Sequence, residues 1–300
     1  MSDPICYKSF INWLNTNQNY KLTYELIGSP RPFDVTLRDG LQSLVHNKDS
    51  VFTTEKKYEI YKTIIKKYNP EFIEIGSIVS PKILPILADS IDLYKKCNNE
   101  NNYLLIPNFS KLSIIKDIKC KNISLITSVS DSFQFKNTRK SIDETKEDIK
   151  NIILNFEGNI KLYISCIDNC PQIGPISHEK ILSEIEYYYN ELNIRNICLS
   201  DTCGSLTYES FIDLVDKIKL INIPYEIFSL HLHVNNLSNK SNKSNTIKII
   251  HEALDRNITS FDVSLLETGG CSVTMNKTVP NLSYKIYYQA LVDYIISKNK

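Results

Sequence analysis

From residue 32 onward, short runs of Ile, Val, Leu, Phe and Tyr alternate with longer segments whose apolar residues recur every three or four positions. The short runs predict strands over 32–39, 72–78, 103–107, 123–129, 160–166, 196–201, 227–233 and 260–267. They are short and rich in Ile, Val, Leu, Phe and Tyr, as strands covered on both faces should be. The longer segments predict helices over 53–68, 141–156, 177–192, 207–220, 245–256 and about 282–298. In the first of these Tyr58, Tyr61, Ile64, Ile65 and Tyr68 share one face and lysines occupy the other. Ser141 followed by Glu144 has the spacing of a capping box. Strands alternating with helices predict an α/β fold, a (β/α)8 TIM barrel over 31–300. A short N-terminal helical extension, 1–30, precedes it, with Phe10, Ile11, Trp13 and Leu14 forming a helix that caps one barrel end. The competing topology is an open doubly wound sheet; eight strands and no Gly-rich turn after the first favour the barrel. The polar run 235–245 reads as a loop after the seventh strand, placed to act as a lid.

In such a barrel the chemistry collects at the C-terminal ends of the strands, and every predicted strand ends in polar residues. The first supplies Arg38, Asp39 and, past Gly40, Gln42; the second Glu74 and Ser77; the third Asn108; the fourth Ser128 and Ser130. The fifth supplies Ser165 and Cys166, the sixth Asp201 and Thr202, the seventh His231 and His233, and the eighth leads into Gly269, Gly270 and Cys271. His-Leu-His puts two imidazoles on one face of a strand, because strand side chains repeat every two residues. One carboxylate and two imidazoles are a donor set for a divalent ion that keeps open positions for substrate. Arg38 beside the carboxylate can hold a negative oxygen formed there. These residues predict a metal-dependent carbon–carbon bond enzyme. Taken singly, each has a plainer reading. H-x-H is more often incidental, Asp39 and Asp201 serve equally as turn or helix caps, and Cys271 as a buried thiol. Glu74, inside a strand, must be buried and paired, with Arg38 as its partner. His46, His178 and His251 fall in a loop or on helices and are expected to be uninvolved.

Composition narrows the partners. A chain of 300 residues with formal net charge +1 gives no electrostatic case for nucleic acid or an anionic membrane surface. No apolar run approaches the roughly 20 residues of a membrane span. The eight cysteines contain no C-x-x-C pair, and the N-terminus lacks a leader pattern. The expectation is a cytoplasmic, reducing compartment with free thiols.

At this point the chain resembles 3-hydroxy-3-methylglutaryl-CoA lyase, within the DRE-TIM metallolyase group, from Arg31 to about Leu282. The resemblance is carried by Arg-Asp-Gly-Leu-Gln at 38–42, Phe-Ile-Glu-Ile-Gly-Ser at 72–77 with Val-Ser-Pro-Lys at 79–82, and Ser130, Asn137, Ser141 and Glu144. Tyr-Ile-Ser-Cys at 163–166 with Cys170-Pro171, Ser-Asp-Thr at 200–202, His231-Leu-His233 and Gly-Gly-Cys at 269–271 complete it. It implies that Asp39, His231, His233 and an asparagine after the cysteine loop, Asn281 or failing it Asn276, bind Mg²⁺ or Mn²⁺. It implies retro-Claisen cleavage of a 3-hydroxyacyl-CoA, with Arg38 stabilising the enolate and Cys271 handling the proton at that carbon. Asp201, His231 and Glu74 are the candidates for proton relay and for orienting Arg38. Gln42, Ser77, Asn137 and Ser165 are the candidate acyl-CoA contacts, and a homodimer is implied.

The Claisen-condensing isopropylmalate and homocitrate synthases are similar at Asp-Val-Thr-Leu-Arg-Asp-Gly, 34–40, and at H-x-H. They do not usually show Gly-Gly-Cys, and they carry a C-terminal extension that 300 residues would not hold. A related condensing enzyme or aldolase is therefore the alternative, and a non-catalytic barrel the third reading. The chain departs from the lyase pattern at Val234-Asn-Asn-Leu237, at Glu267-Thr268, at Tyr284 or Lys285, where an acidic residue is expected, and in the glycine-free stretch 272–280. The metal site and Arg38–Cys271 look intact, while the closing loop and with it the acyl group are open to change.

Overall fold

The computed structural model describes residues 6–46, 52–234, 240–266, 268–270 and 279–300. Eight parallel strands close a barrel: β1 Phe33–Asp34, β2 Phe72–Ser77, β3 Asn102–Leu105, β4 Asn122–Ser128, β5 Asn159–Ser165, β6 Ile197–Ser200, β7 Phe228–His231 and β8 Ser260–Val263. Each pairs with the next, and β8 closes on β1. Helices wrap the outside: α3 Thr54–Tyr68, α4 Ser90–Cys97, α5 Leu112–Asp117, α6 Asp131–Thr138, α7 Ile142–Asn155, α8 His178–Glu186, α9 Tyr208–Leu220, α10 Lys240–Asp255 and α11 Tyr284–Lys298. The expected TIM barrel is present. Caps fix where the helices start: the side chains of Thr53, Ser177, Thr207 and Ser283 accept first-turn N–H groups, and Ser141 with Glu144 makes a complete capping box.

Two helices, α1 Tyr7–Leu14 and α2 Gln18–Leu26, precede the barrel where one was expected. Phe10 packs edge-on against Tyr24 and tilted on Tyr288 of α11, with ring centroids 5.1 and 5.2 Å apart. The Tyr24 and Tyr287 hydroxyls both donate to the Pro30 carbonyl, at 2.9 and 3.1 Å. These contacts hold α1 and α2 against α11 and the segment that leads into β1.

The first predicted strand is corrected. Only Phe33–Asp34 pairs in the sheet, and Thr36–Gly40 forms a π-helical turn with the Gly40 N–H on the Val35 carbonyl at 3.1 Å. The cause is Asp34. Its buried carboxylate accepts the Thr36 N–H and the Thr36 hydroxyl, both at 2.9 Å, and the Tyr284 hydroxyl at 2.7 Å. Those bonds bend the chain out of the ladder. In a strand, Arg38 and Asp39 would face opposite sides; in the turn they meet, with Arg38 Nη1 2.7 Å from Asp39 Oδ1. Gly40 lets this turn pack, since a Cβ there would lie 2.7 Å from Ser264 Oγ, just beyond β8. Gly40→Ala is expected to cost about 1–3 kcal/mol in a denaturant titration, an unchanged midpoint being the contrary result. Residues 240–245, read as loop from their polarity, form the start of α10. Residues 235–239 of the lid candidate lie outside the described residues.

Candidate active site

At the C-terminal mouth, the turn after β1, β7 and the residue after it, and the segment after β8 build a four-residue cluster. His231 ends β7, and His233 pairs with Asn281 in an antiparallel bridge. Val234 N–H to Pro280 O (2.7 Å) and Leu282 N–H to Leu232 O (2.9 Å) hold that register, which brings Asn281 beside Asp39. One ligand atom from each of Asp39, His231 and His233 lies within 4.8 Å of the others, and all three residues are buried.

The hydrogen bonds fix how the cluster presents its donor atoms. His231 Nδ1 lies 3.0 Å from Asp262 Oδ2, and His233 Nδ1 lies 2.9 Å from the Val279 carbonyl. Each of these acceptors takes a proton from the Nδ1 it faces, and each ring turns its Nε2 inward. The two Nε2 atoms stand 3.2 Å apart. Asn281 Nδ2 donates to Asp39 Oδ2 (2.8 Å) and the Thr268 carbonyl (3.0 Å), which fixes the amide and leaves its buried Oδ1 without a partner among the described residues. Two inward imidazole nitrogens, an orphaned amide oxygen and a carboxylate fit a divalent cation. Burial opposes the charge on Asp39, but Arg38 and the two imidazoles outweigh it and hold the carboxyl well below the usual range. Burial and the neighbouring His231 press His233 down to about 4, so it is neutral at pH 7.

Arg38 is clamped from behind. Its Nε donates to Glu74 Oε2, Tyr163 O–H reaches the same oxygen at 3.4 Å, and the guanidinium carbon lies 5.1 Å from the Tyr163 ring centroid. Burial alone would lower the Arg38 pKa, yet Glu74 and Asp39 raise it well above the ordinary value, so the cation is permanent. Glu74 is thus buried and paired as its strand position required, and it does not itself line the cavity.

A cavity of about 260 Å³ opens over these groups, lined by Arg38, Asp39, His231 and His233. Gln42, Ser77, Asn137 and Ser165, the four expected substrate contacts, all line it. Asp201 stands apart. Its carboxylate accepts the Ser205 and Leu206 N–H groups at 3.0 and 3.2 Å, and it borders a neighbouring cavity shared with His233 and Asn245. That is the capping role its sequence also allowed, and burial pushes its carboxyl up to about 7 against those bonds. Cys271 and Asn276 lie outside the described residues. Sequence reasoning missed Tyr163, Lys111, Lys161 and Asp262. Tyr163 and Lys111 line the cavity. Lys161 pairs with Asp262 behind His231. The available signal was charge in the middle of two apolar strand runs.

Comparison with known proteins bears on this site. Residues 29–243 match the family model described as HMGL-like. The mitochondrial hydroxymethylglutaryl-CoA lyase of Bos taurus is 27% identical over 244 residues, 79% of this chain and 71% of that protein. The Bacillus subtilis hydroxymethylglutaryl-CoA lyase YngG is 27% identical over 253 residues, 81% of this chain and 80% of that protein. The Arabidopsis thaliana mitochondrial lyase is 25% identical over 79% of this chain, a match that spans only 49% of that protein's length. Among solved structures, an HMG-CoA lyase from Acinetobacter baumannii in complex with coenzyme A and 3-methylmalate superposes with TM-score 0.74 at 22% identity, covering 90% of each chain. One from Brucella melitensis gives TM-score 0.74 at 24% identity, covering 90% of this chain and 91% of that one.

Proposed function

The chain belongs to the HMGL-like family, and from that premise we propose that it is a divalent-metal-dependent carbon–carbon lyase. Its proposed reaction is retro-Claisen cleavage of 3-hydroxy-3-methylglutaryl-CoA, or a related 3-hydroxyacyl-CoA, to acetyl-CoA and a keto acid (acetoacetate for the parent substrate). One observation carries this reading: the Asp39, His231, His233 and Asn281 donor set and the clamped Arg38 guanidinium meet at one barrel mouth. The names of the relatives, and the coenzyme A bound in the Acinetobacter structure, support an acyl-CoA substrate.

The four donors would hold Mg²⁺ or Mn²⁺, the two imidazoles tilting the site toward Mn²⁺. When bound, such an ion supplies Lewis acidity that makes the substrate's tertiary hydroxyl easier to ionise. A base takes that proton, Asp201 and His231 being the candidates; the freed O–H electrons make the C3 carbonyl, the C2–C3 bond breaks, and its electrons form the thioester enolate, so negative charge develops on the thioester oxygen. Arg38, fixed by Glu74 and Asp39, is preorganised to receive it without reorganising. Cys271, by the family resemblance, then donates the proton that turns the enolate carbon into the acetyl methyl. Ser165, Asn137, Ser77 and Gln42 line the space for the acyl chain. Without glycine from 272 to 280, the segment that follows Cys271 departs from the family pattern, so the acyl group is the part of the substrate most open to variation.

The same site chemistry can run as a condensation. The discriminating experiment offers purified, reduced protein with Mg²⁺ or Mn²⁺ two substrate sets: 3-hydroxy-3-methylglutaryl-CoA, and acetyl-CoA with a 2-oxo acid. Acetoacetate from the first, with no CoA thiol freed from the second, is the expected result. Thiol release from the second alone moves the assignment to the condensing enzymes.

A further inference from the structure

Two charged residues lie inside the barrel and do not line the cavity: Lys161 in the middle of β5 and Asp262 in the middle of β8. β5 and β8 are not neighbours in the sheet, so the two side chains meet across the barrel interior. They are 1% and 0% exposed as side chains and form an ion pair through Asp262 Oδ1. Lys161 Nζ otherwise rests on aromatic faces, 3.5 Å from the Phe33 ring centroid and 5.0 Å from that of Tyr163. A buried pair of this kind rarely improves stability over apolar packing, because both ions must be stripped of water. Its second contact suggests what it is for. The other Asp262 oxygen faces His231 Nδ1 at 3.0 Å, whereas His233 Nδ1 faces the Val279 backbone carbonyl at 2.9 Å. The two imidazoles are therefore not equivalent: one is backed by a full negative charge and one by a dipole.

We propose that the Lys161–Asp262 pair is a positioning device for the metal centre, in which Asp262 orients the His231 ring and strengthens its Nε2 as a ligand while Lys161 holds Asp262 in place. The inference rests on the metal-binding reading above. A carboxylate behind a ligating imidazole fixes its tautomer and raises its basicity. Neither a cation without the carboxylate nor a carboxylate without the cation serves, since either alone would be an uncompensated charge inside an apolar barrel.

The test measures Mn²⁺ affinity by calorimetric titration and, in parallel, the thermal midpoint of the metal-free protein. Asp262→Asn is expected to weaken Mn²⁺ binding by about 10–100-fold. Lys161→Met alone leaves a lone buried carboxylate and is expected to lower the midpoint sharply. The double variant Lys161→Met/Asp262→Asn restores a neutral interior; its midpoint should recover while its affinity stays as low as that of Asp262→Asn. That split separates the proposal from a purely structural pair, in which affinity would follow folding. A folded double variant that binds Mn²⁺ within about twofold of the parent overturns the proposal. Absence of Mn²⁺ binding in the parent protein would overturn the metal-site reading and this inference with it, an outcome distinct from the first.

Discussion

Asp39→Ala protein is expected to fold, to bind Mn²⁺ more than about a hundredfold more weakly than the parent, and to lose turnover with the metal. A hundredfold is the upper end of what losing an outer partner of a ligand costs, and Asp39 is proposed as a ligand itself. Its two oxygens organise the whole cluster. Oδ1 meets Arg38 Nη1 at 2.7 Å, and Oδ2 takes Asn281 Nδ2 at 2.8 Å and the Gly270 N–H at 3.2 Å. Removing the carboxylate takes away the one anionic ligand and frees the Asn281 amide that it orients. The fold should survive because Arg38 keeps Glu74 as its counter-ion. Calorimetric titration with Mn²⁺ checks the expectation, and near-parental affinity would remove Asp39 from the metal site.

Arg38→Met should separate chemistry from metal binding. A preorganised donor aimed at developing negative charge is worth about 10²–10³ in kcat, and that is the fall expected, with Mn²⁺ affinity far less affected. The substitution also leaves Glu74, fully buried, without its cation, so Arg38→Met/Glu74→Gln is the necessary companion. The double variant should regain stability and not kcat. Arg38→Lys should recover little, because an ammonium cannot donate to Glu74 and Asp39 in the fixed fork of a guanidinium. A kcat within about tenfold of the parent in the double variant would assign Arg38 to structure alone.

The barrel was legible because its strands are short, buried on both faces and separated by helices with visible caps. His231 and His233 were legible for a related reason: side chains two apart in an extended segment face the same way. Asn281 followed only from the family resemblance, since nothing local shows that 279–282 returns to pair alongside His233. The turn at Thr36–Gly40 was hidden by its own burial. Val35 and Leu37 are apolar because the turn is packed, and their alternation imitates a strand; what bends the chain is the Asp34–Thr36 bonding, reinforced by Tyr284, 250 residues away. Lys161 and Asp262 were missed because a charge inside an apolar run has meaning only with its partner, here 101 residues distant. The start of α10 was read as loop since Lys240–Asn245 carries no apolar stripe to reveal a helix.

The most direct test of a metal-dependent lyase is product formation from 3-hydroxy-3-methylglutaryl-CoA before and after chelation. The reduced protein, stripped of metal and then resupplied with Mg²⁺ or Mn²⁺, should form no product in the first state and equal amounts of acetyl-CoA and acetoacetate in the second. Cleavage that continues at full rate in the stripped protein, or none when Mn²⁺ is demonstrably bound, would contradict the account.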